Sequence, residues 1–211
     1  MNIMIAAFLS ICGATLGPLE VTVQNTVTVC EAEGHLNFPW VYRGQDELLV
    51  LSCSTGLHTV TERGMRLISM DDGATWKAPD APVVNGMGTL LRDGRAITLS
   101  CWGPEANAEG AYPITSLYYA EGGTGAEEKV SGLLTLPFAM KPHFHRSLIE
   151  LPDGAIIATI YGTKEGDKKF TSALIKTTDG GKHWEFLSVI AQSEEIGREG
   201  FCEPALLQLE N

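Results

Sequence analysis

The stretch "HFHR" sets His143, His145 and Arg146 together near the middle of the chain. In an extended strand, alternation puts His143 and His145 on one face. Two imidazoles beside a guanidinium suit recognition of hydroxyl or carboxylate groups, or proton transfer near neutral pH. A zinc site would need a further ligand at tetrahedral spacing, and the pattern supplies none, so no metal is expected. Glu203 opens a later segment, "EPALLQLEN", and Asn85 stands earlier in "PVVNGMG". An amide, an imidazole and a carboxylate can donate, share and accept protons around one polar substrate, provided the fold brings them together.

The elements that would do so repeat. "LLRDGRAITLSCWG" (90–103), "IELPDGAIIATIYG" (149–162) and the shorter "LLQLEN" (206–211) superimpose, and "VYRGQDELLVLSCSTG" (41–56) fits with one turn altered. Each is an apolar strand, a polar turn and a second β-rich strand, the pattern of a hairpin. A further strand pair follows each of the first three hairpins. The turns fall near residues 46, 94, 154 and 211, and self-similarity at about 50 to 60 residues marks repeated supersecondary units such as propeller blades. The expected fold is therefore all-β, with four strands to a unit. Aligning the turns puts Asn85, His145 and Glu203 at one position of the innermost strand in the second, third and fourth units, with Asn37 or Phe38 near it in the first. Innermost strands line a propeller's central channel. Polar residues there, where Val, Ile or Leu are favoured, read as a pocket.

A second feature also recurs: Ser69-x-Asp71-x-Gly73-x-x-Trp76 and Thr177-x-Asp179-x-Gly181-x-x-Trp184. The physical reading is structural. The carboxylate accepts backbone N–H groups, Gly takes a positive φ for the return strand, and Trp packs across the turn. A calcium loop would need further acidic residues and a terminal Glu. In the second unit Glu121, Gly123 and Ala126 take the corresponding places, as in a decayed copy.

These two motifs resemble the Asp boxes, or BNR repeats, of the sialidase (neuraminidase) superfamily, and the resemblance covers residues 36–211. It implies a six-bladed β-propeller of four-stranded antiparallel blades, with the boxes between outer strands and remote from the active site. A full ring takes more than about 300 residues at this period, so the chain is expected to hold about three blades and the start of a fourth, an N-terminal part. The resemblance further implies an exo-acting glycoside hydrolase with a glycan or glycoconjugate as partner. In that family Glu203 would correspond to the base that activates a Tyr nucleophile, and the Tyr would lie beyond Asn211. The loop "STGLHTVTERGM" follows the first hairpin where the family carries an acid/base Asp; here the loop has no Asp, and Glu62 and His58 are the two candidates for that role. Substrate binding falls to Asn85, His143, Arg146, Asn37 and His58. Asn37 stands where the family has an Arg that clamps the sialic acid carboxylate, and an amide does not reproduce that fork. A substrate other than sialic acid is expected. The other readings are a non-catalytic propeller that binds a glycan or protein, and a polysaccharide lyase on the same scaffold.

The chain has 211 residues, 44% hydrophobic and 19% charged, with a net charge of −11 and no basic cluster, so nucleic acid is not an expected partner. The five cysteines, Cys12, Cys30, Cys53, Cys101 and Cys202, lie far apart and read as buried free thiols. Residues 1–17, "MNIMIAAFLSICGATLG", hold an apolar run of the length of a signal-peptide core, which places the propeller in 18–211 and the protein in a secreted or periplasmic setting. No Lys or Arg precedes that core; the alternative is a buried first strand or a mis-set start, in a cytoplasmic protein. No Gly-rich phosphate loop leads into a helix, so no cofactor is expected, and no segment has the length and apolarity of a membrane span.

Overall fold

The computed structural model describes residues 10–11, 14–15, 26–31, 36–43, 48–56, 63–80, 89–120 and 128–208. Short β-branched and aromatic runs separated by Gly-bearing turns make strands wherever regular structure forms. Among the described residues every regular element is a strand. The chain divides into two compact units, Met1–Glu33 and Gly34–Asn211. The first holds β1 (Ser10–Ile11) and β2 (Ala14–Thr15), which pair antiparallel.

The second unit carries three successive antiparallel meanders. β3 (Leu36–Arg43), β4 (Leu49–Thr55) and β5 (Arg63–Ser69) form a three-stranded sheet. β6 (Thr89–Leu90), β7 (Ala96–Ser100), β8 (Tyr112–Tyr119) and β9 (Glu128–Thr135) form the next meander. β10 (His143–Glu150), β11 (Ile156–Thr163), β12 (Phe170–Thr177) and β13 (His183–Ala191) form the last. The fourth strands of two successive meanders run in the same direction, so where β9 and β13 meet they pair parallel, His183 to Leu133 through Glu185 to Thr135. The seam makes one eight-stranded sheet of the two meanders, in the order β10-β11-β12-β13-β9-β8-β7-β6.

At its other end this sheet nearly closes. Phe144 N–H donates to Cys101 C=O at 2.8 Å, Gly103 N–H to Pro142 C=O at 2.8 Å and Thr89 Oγ1 to Leu148 C=O at 2.5 Å, tying β10 to β6 and β7. One apolar core fills the interior: Ile97, Ile114, Leu134, Ala158, Ile160, Ala173, Ile175 and Trp184 are buried. Alternation supplies it, since Ile156, Ala158 and Ile160 of β11 face the same core as Ala173 and Ile175 of β12.

Three expectations change. Among the described residues the first meander has three strands, and an isolated bridge between Ile68 and Lys77 stands where its fourth is expected. The segment expected to begin a fourth unit forms no strand over residues 202–208. A strand needs a ladder partner; here side chains of β10, β11 and β12 satisfy the backbone instead. Ser147 Oγ accepts from Leu206 N–H, Thr159 Oγ1 donates to Pro204 C=O, and Ser172 Oγ donates to Phe201 C=O. Of the described cysteines, Cys53 and Cys101 are buried, whereas Cys30 and Cys202 are half-buried. Burial pushes the Cys101 thiol up to about 12. Cys12, Glu121, Gly123 and Ala126 lie outside the described residues. Among the described residues no helix is long and apolar enough to cross a membrane.

Candidate functional site

β10 runs from His143 at one end of its sheet to Glu150 at the other, and the antiparallel order then places the end of β11 and the start of β12 beside His143. The turns at 151–154 and 178–182 therefore sit at the opposite end. At about 3.3 Å per residue, eight-residue strands hold the two ends roughly 23 Å apart.

At the His143 end, His145 Nε2 stands 3.7 Å from Glu203 Oε1, with the Glu203 side chain 52% exposed. Glu203 has φ +53° and precedes Pro204; Phe38, at the related position of the first meander, also has φ +53° and precedes Pro39. Left-handed backbone at a non-glycine residue is uncommon, and it concentrates where surrounding structure over-determines a side chain's direction. Register irregularities fall nearby, between Asn37 and Trp40 in β3 and between Phe144 and Leu148 in β10. Such bulges re-aim side chains at a sheet's rim.

Aromatic rings back the pair. His143 lies 4.6 Å from Trp102 and 5.4 Å from Tyr161, centroid to centroid, and Tyr161 lies 6.2 Å from His145 and 5.3 Å from Phe170. Gly103, at φ +59°, lets its backbone close on the imidazole: a Cβ there would sit 2.9 Å from His143 Cε1. His143 Nδ1 is buried without a hydrogen-bond partner, and burial lowers the imidazole's pKa, favouring the neutral ring. Burial raises the Tyr161 phenol, with the Glu203 carboxylate and Cys202 adding to it, so the hydroxyl stays protonated at neutral pH. Trp102 and Tyr161 were not singled out from the sequence. Their signal is present: "CWG" and "IYG" end the second strand of successive repeats, so the two aromatics hold one repeat position.

Asn37 Nδ2 donates to Gly56 C=O at 2.5 Å, which commits the amide to the end of the first hairpin. Glu62, His58 and Asn85 lie outside the described residues, and Arg146 is described only as backbone of β10. Of the sequence-derived set, the structure brings together His143, His145 and Glu203. Among the described residues no three His, Cys, Asp or Glu side chains are grouped so as to hold a metal ion.

The two Asp turns fold alike at the opposite end. Ser69 Oγ donates to Asp71 Oδ1 and accepts from Gly73 N–H; Thr177 Oγ1 does the same with Asp179 and Gly181. Thr75 N–H and His183 N–H donate to the respective Asp Oδ1, and Thr75 Oγ1 and His183 Nδ1 meet Oδ2 at 2.6 Å. Trp76 Nε1 caps Gly73 C=O, while Trp184 is buried with its Nε1 unpartnered. The later turn also rests on the neighbouring meander, where Tyr118 donates its hydroxyl to Gly180 C=O at 3.0 Å.

Hydrogen bonds to the charged carboxylates, from the Thr75 hydroxyl first at Asp71 and from the His183 N–H first at Asp179, hold both groups below their usual 3.8. A lowered folded-state pKa contributes stability that is complete above the unfolded value and lost as pH falls through the folded one. The melting temperature is therefore expected to fall as pH drops below about 4. The Asp71→Asn, Asp179→Asn double variant should melt lower at pH 7 and show a shallower acid slope; parallel slopes would exclude the two turns as the origin.

No family model matches the chain, and no curated protein matches it. Solved structures are similar to it, among them the following three. A protein of unknown function from Dyadobacter fermentans aligns at 14% identity over 74% of this chain and 51% of that one, TM-score 0.42. A Hadza microbial sialidase aligns at 13% identity over 73% of this chain and 37% of its own, TM-score 0.48. An endo-arabinase from Bacteroides thetaiotaomicron aligns at 15% identity over 74% of this chain and 62% of its own, TM-score 0.48. The chain thus spans less than two thirds of each of these structures.

Proposed function

We propose that the meanders are consecutive blades of a six-bladed β-propeller and that the protein is carbohydrate-active, an exo-acting glycoside hydrolase with a preference other than sialic acid. The Asp turns support the blade reading, since each leaves the third strand of its unit toward the outer edge, the place of an Asp box. The observation that carries the function is the His145–Glu203 pair, held at the strand end opposite those turns and backed by aromatic rings. Glu203 would take the proton of the attacking hydroxyl as its oxygen bonds the anomeric carbon, and the glycosidic C–O bond would break as Glu62, a candidate for the acid that the resemblance implies, gives its proton to the departing oxygen. His145 would position that carboxylate. Engagement of Asn37 with Gly56 and the neutrality favoured at His143 both argue for a substrate without a carboxylate at those positions. A secreted or periplasmic location fits an extracellular glycan.

The test is release of fluorophore from a panel of fluorogenic sialosides and neutral hexosides. Cleavage of a neutral hexoside is the expected result, and cleavage confined to sialosides would overturn the substrate assignment. The exposed carboxylate and the 3.7 Å gap, outside hydrogen-bond reach, favour a second reading as a non-catalytic glycan-binding propeller. Glycan binding with no turnover across the panel would establish it.

A further inference from the structure

Trp102 is 72% exposed, whereas Trp184 is 1% exposed and Trp40 and Trp76 are half-buried. Its backbone is nonetheless tightly held. Trp102 pairs with His143 in an antiparallel bridge, and the flanking Cys101 C=O and Gly103 N–H bond to Phe144 and Pro142 at 2.8 Å. The ring meets the His143 imidazole at an interplanar angle of 71°. That contact uses only part of the indole, and the exposure leaves indole surface open to solvent. A large, rigidly mounted, solvent-facing aromatic beside a polar cluster is the arrangement that binds an amphipathic ligand with little ordering cost.

We infer that Trp102 is a stacking platform for the C–H face of a pyranose ring, one sugar residue removed from the His145–Glu203 pair. The inference rests on the carbohydrate reading above and deepens it. His143 and His145 are two residues apart along β10, about 7 Å, close to the step from one sugar to the next in an oligosaccharide. Trp102 stands at His143, and Glu203 stands at His145. A ligand reaching both therefore carries at least two sugar residues. The residue over Trp102 needs an uninterrupted C–H face, as gluco- and galactopyranosides have.

The test is calorimetric titration of the protein, in a Glu203→Gln background that prevents turnover, with glucose, galactose and N-acetylglucosamine and with β-linked disaccharides of each. The disaccharides are expected to bind at least about tenfold more tightly than the monosaccharides. Trp102→Ala should abolish that difference and leave monosaccharide affinity within about twofold, while Trp102→Phe should keep most of it. Because the ring is exposed, melting temperatures should stay unchanged, which separates lost binding from lost fold. Disaccharide affinity indifferent to Trp102→Ala would overturn the platform and leave the carbohydrate reading standing. Absence of binding to every sugar would sink both.

Discussion

On the proposed glycosidase reading, Glu203→Gln is expected to lower kcat by about 10²- to 10⁴-fold, the range associated with loss of a positioned proton acceptor. Gln matches Glu in shape and can still receive a hydrogen bond, but it cannot take a proton from an attacking hydroxyl. The stability change should be small. The carboxylate is half exposed, and its partner His145 Nε2 stands 3.7 Å away, a separation at which a solvated ion pair is worth about 0–1 kcal/mol. For a chain of this length that is at most about 2–4 °C in Tm. A role only in substrate binding would raise KM with kcat preserved. A kcat unchanged in the variant, with normal folding, removes Glu203 from the chemistry; a large loss of Tm makes its strained backbone a structural feature first.

How much of this was legible in the sequence depends on the range of the interaction involved. The β class and the repeat follow from local pattern: alternating apolar residues, Asp-Gly turns and their period need no tertiary knowledge. The Asp turns are equally local, since every bond closing them spans at most four residues. Sequence reasoning nonetheless assigned closure to Asp, Gly and Trp and passed over Thr75 and His183, whose side chains bond the second carboxylate oxygen. The proximity of His145 and Glu203 followed from aligning repeats, a comparison within the chain. Trp102 and Tyr161 escaped notice because one aromatic at a strand end is ordinary β composition; their shared repeat position marks them only when the repeats are compared, and contact with His143 then gives that position a meaning. The strand expected in "EPALLQLEN" (203–211) is not formed over its described residues 203–208, for a complementary reason. Its apolar residues are present, but pairing is a property of two segments, and its backbone bonds to Ser147 and Thr159 instead.

The parallel seam between β9 and β13 is the feature with least sequence signal, and it leads to the largest stability effect. Gly132 lies in β9 without a left-handed φ, so nothing local calls for glycine. The requirement comes from across the seam: a Cβ at Gly132 would drive into the carbonyl oxygen of Gly181 and lie 2.9 Å from that of Lys182. Both obstacles are backbone, and the Asp179 bonds that close the turn leave them little room to retreat. Gly132→Ala must therefore open the seam or distort the turn, including the bond from Leu133 N–H to Lys182 C=O at 3.0 Å. Overpacking costs about 1–3 kcal/mol and a lost hydrogen bond about 1 kcal/mol more. At about 2–4 °C per kcal/mol for a domain of this size, a fall in Tm of roughly 5–15 °C is expected. Gly64→Ala is the matched control, because Gly64 also lies in a strand and a Cβ there meets nothing within 4 Å. Amide exchange locates the damage: Leu133 N–H should lose protection in Gly132→Ala, while Ile114 and Ile160, deep in the core, keep theirs up to the global limit. Equal melting temperatures for the two glycine variants would show that the seam yields without cost, and that the two meanders are held together by their shared core and the β10 contacts alone.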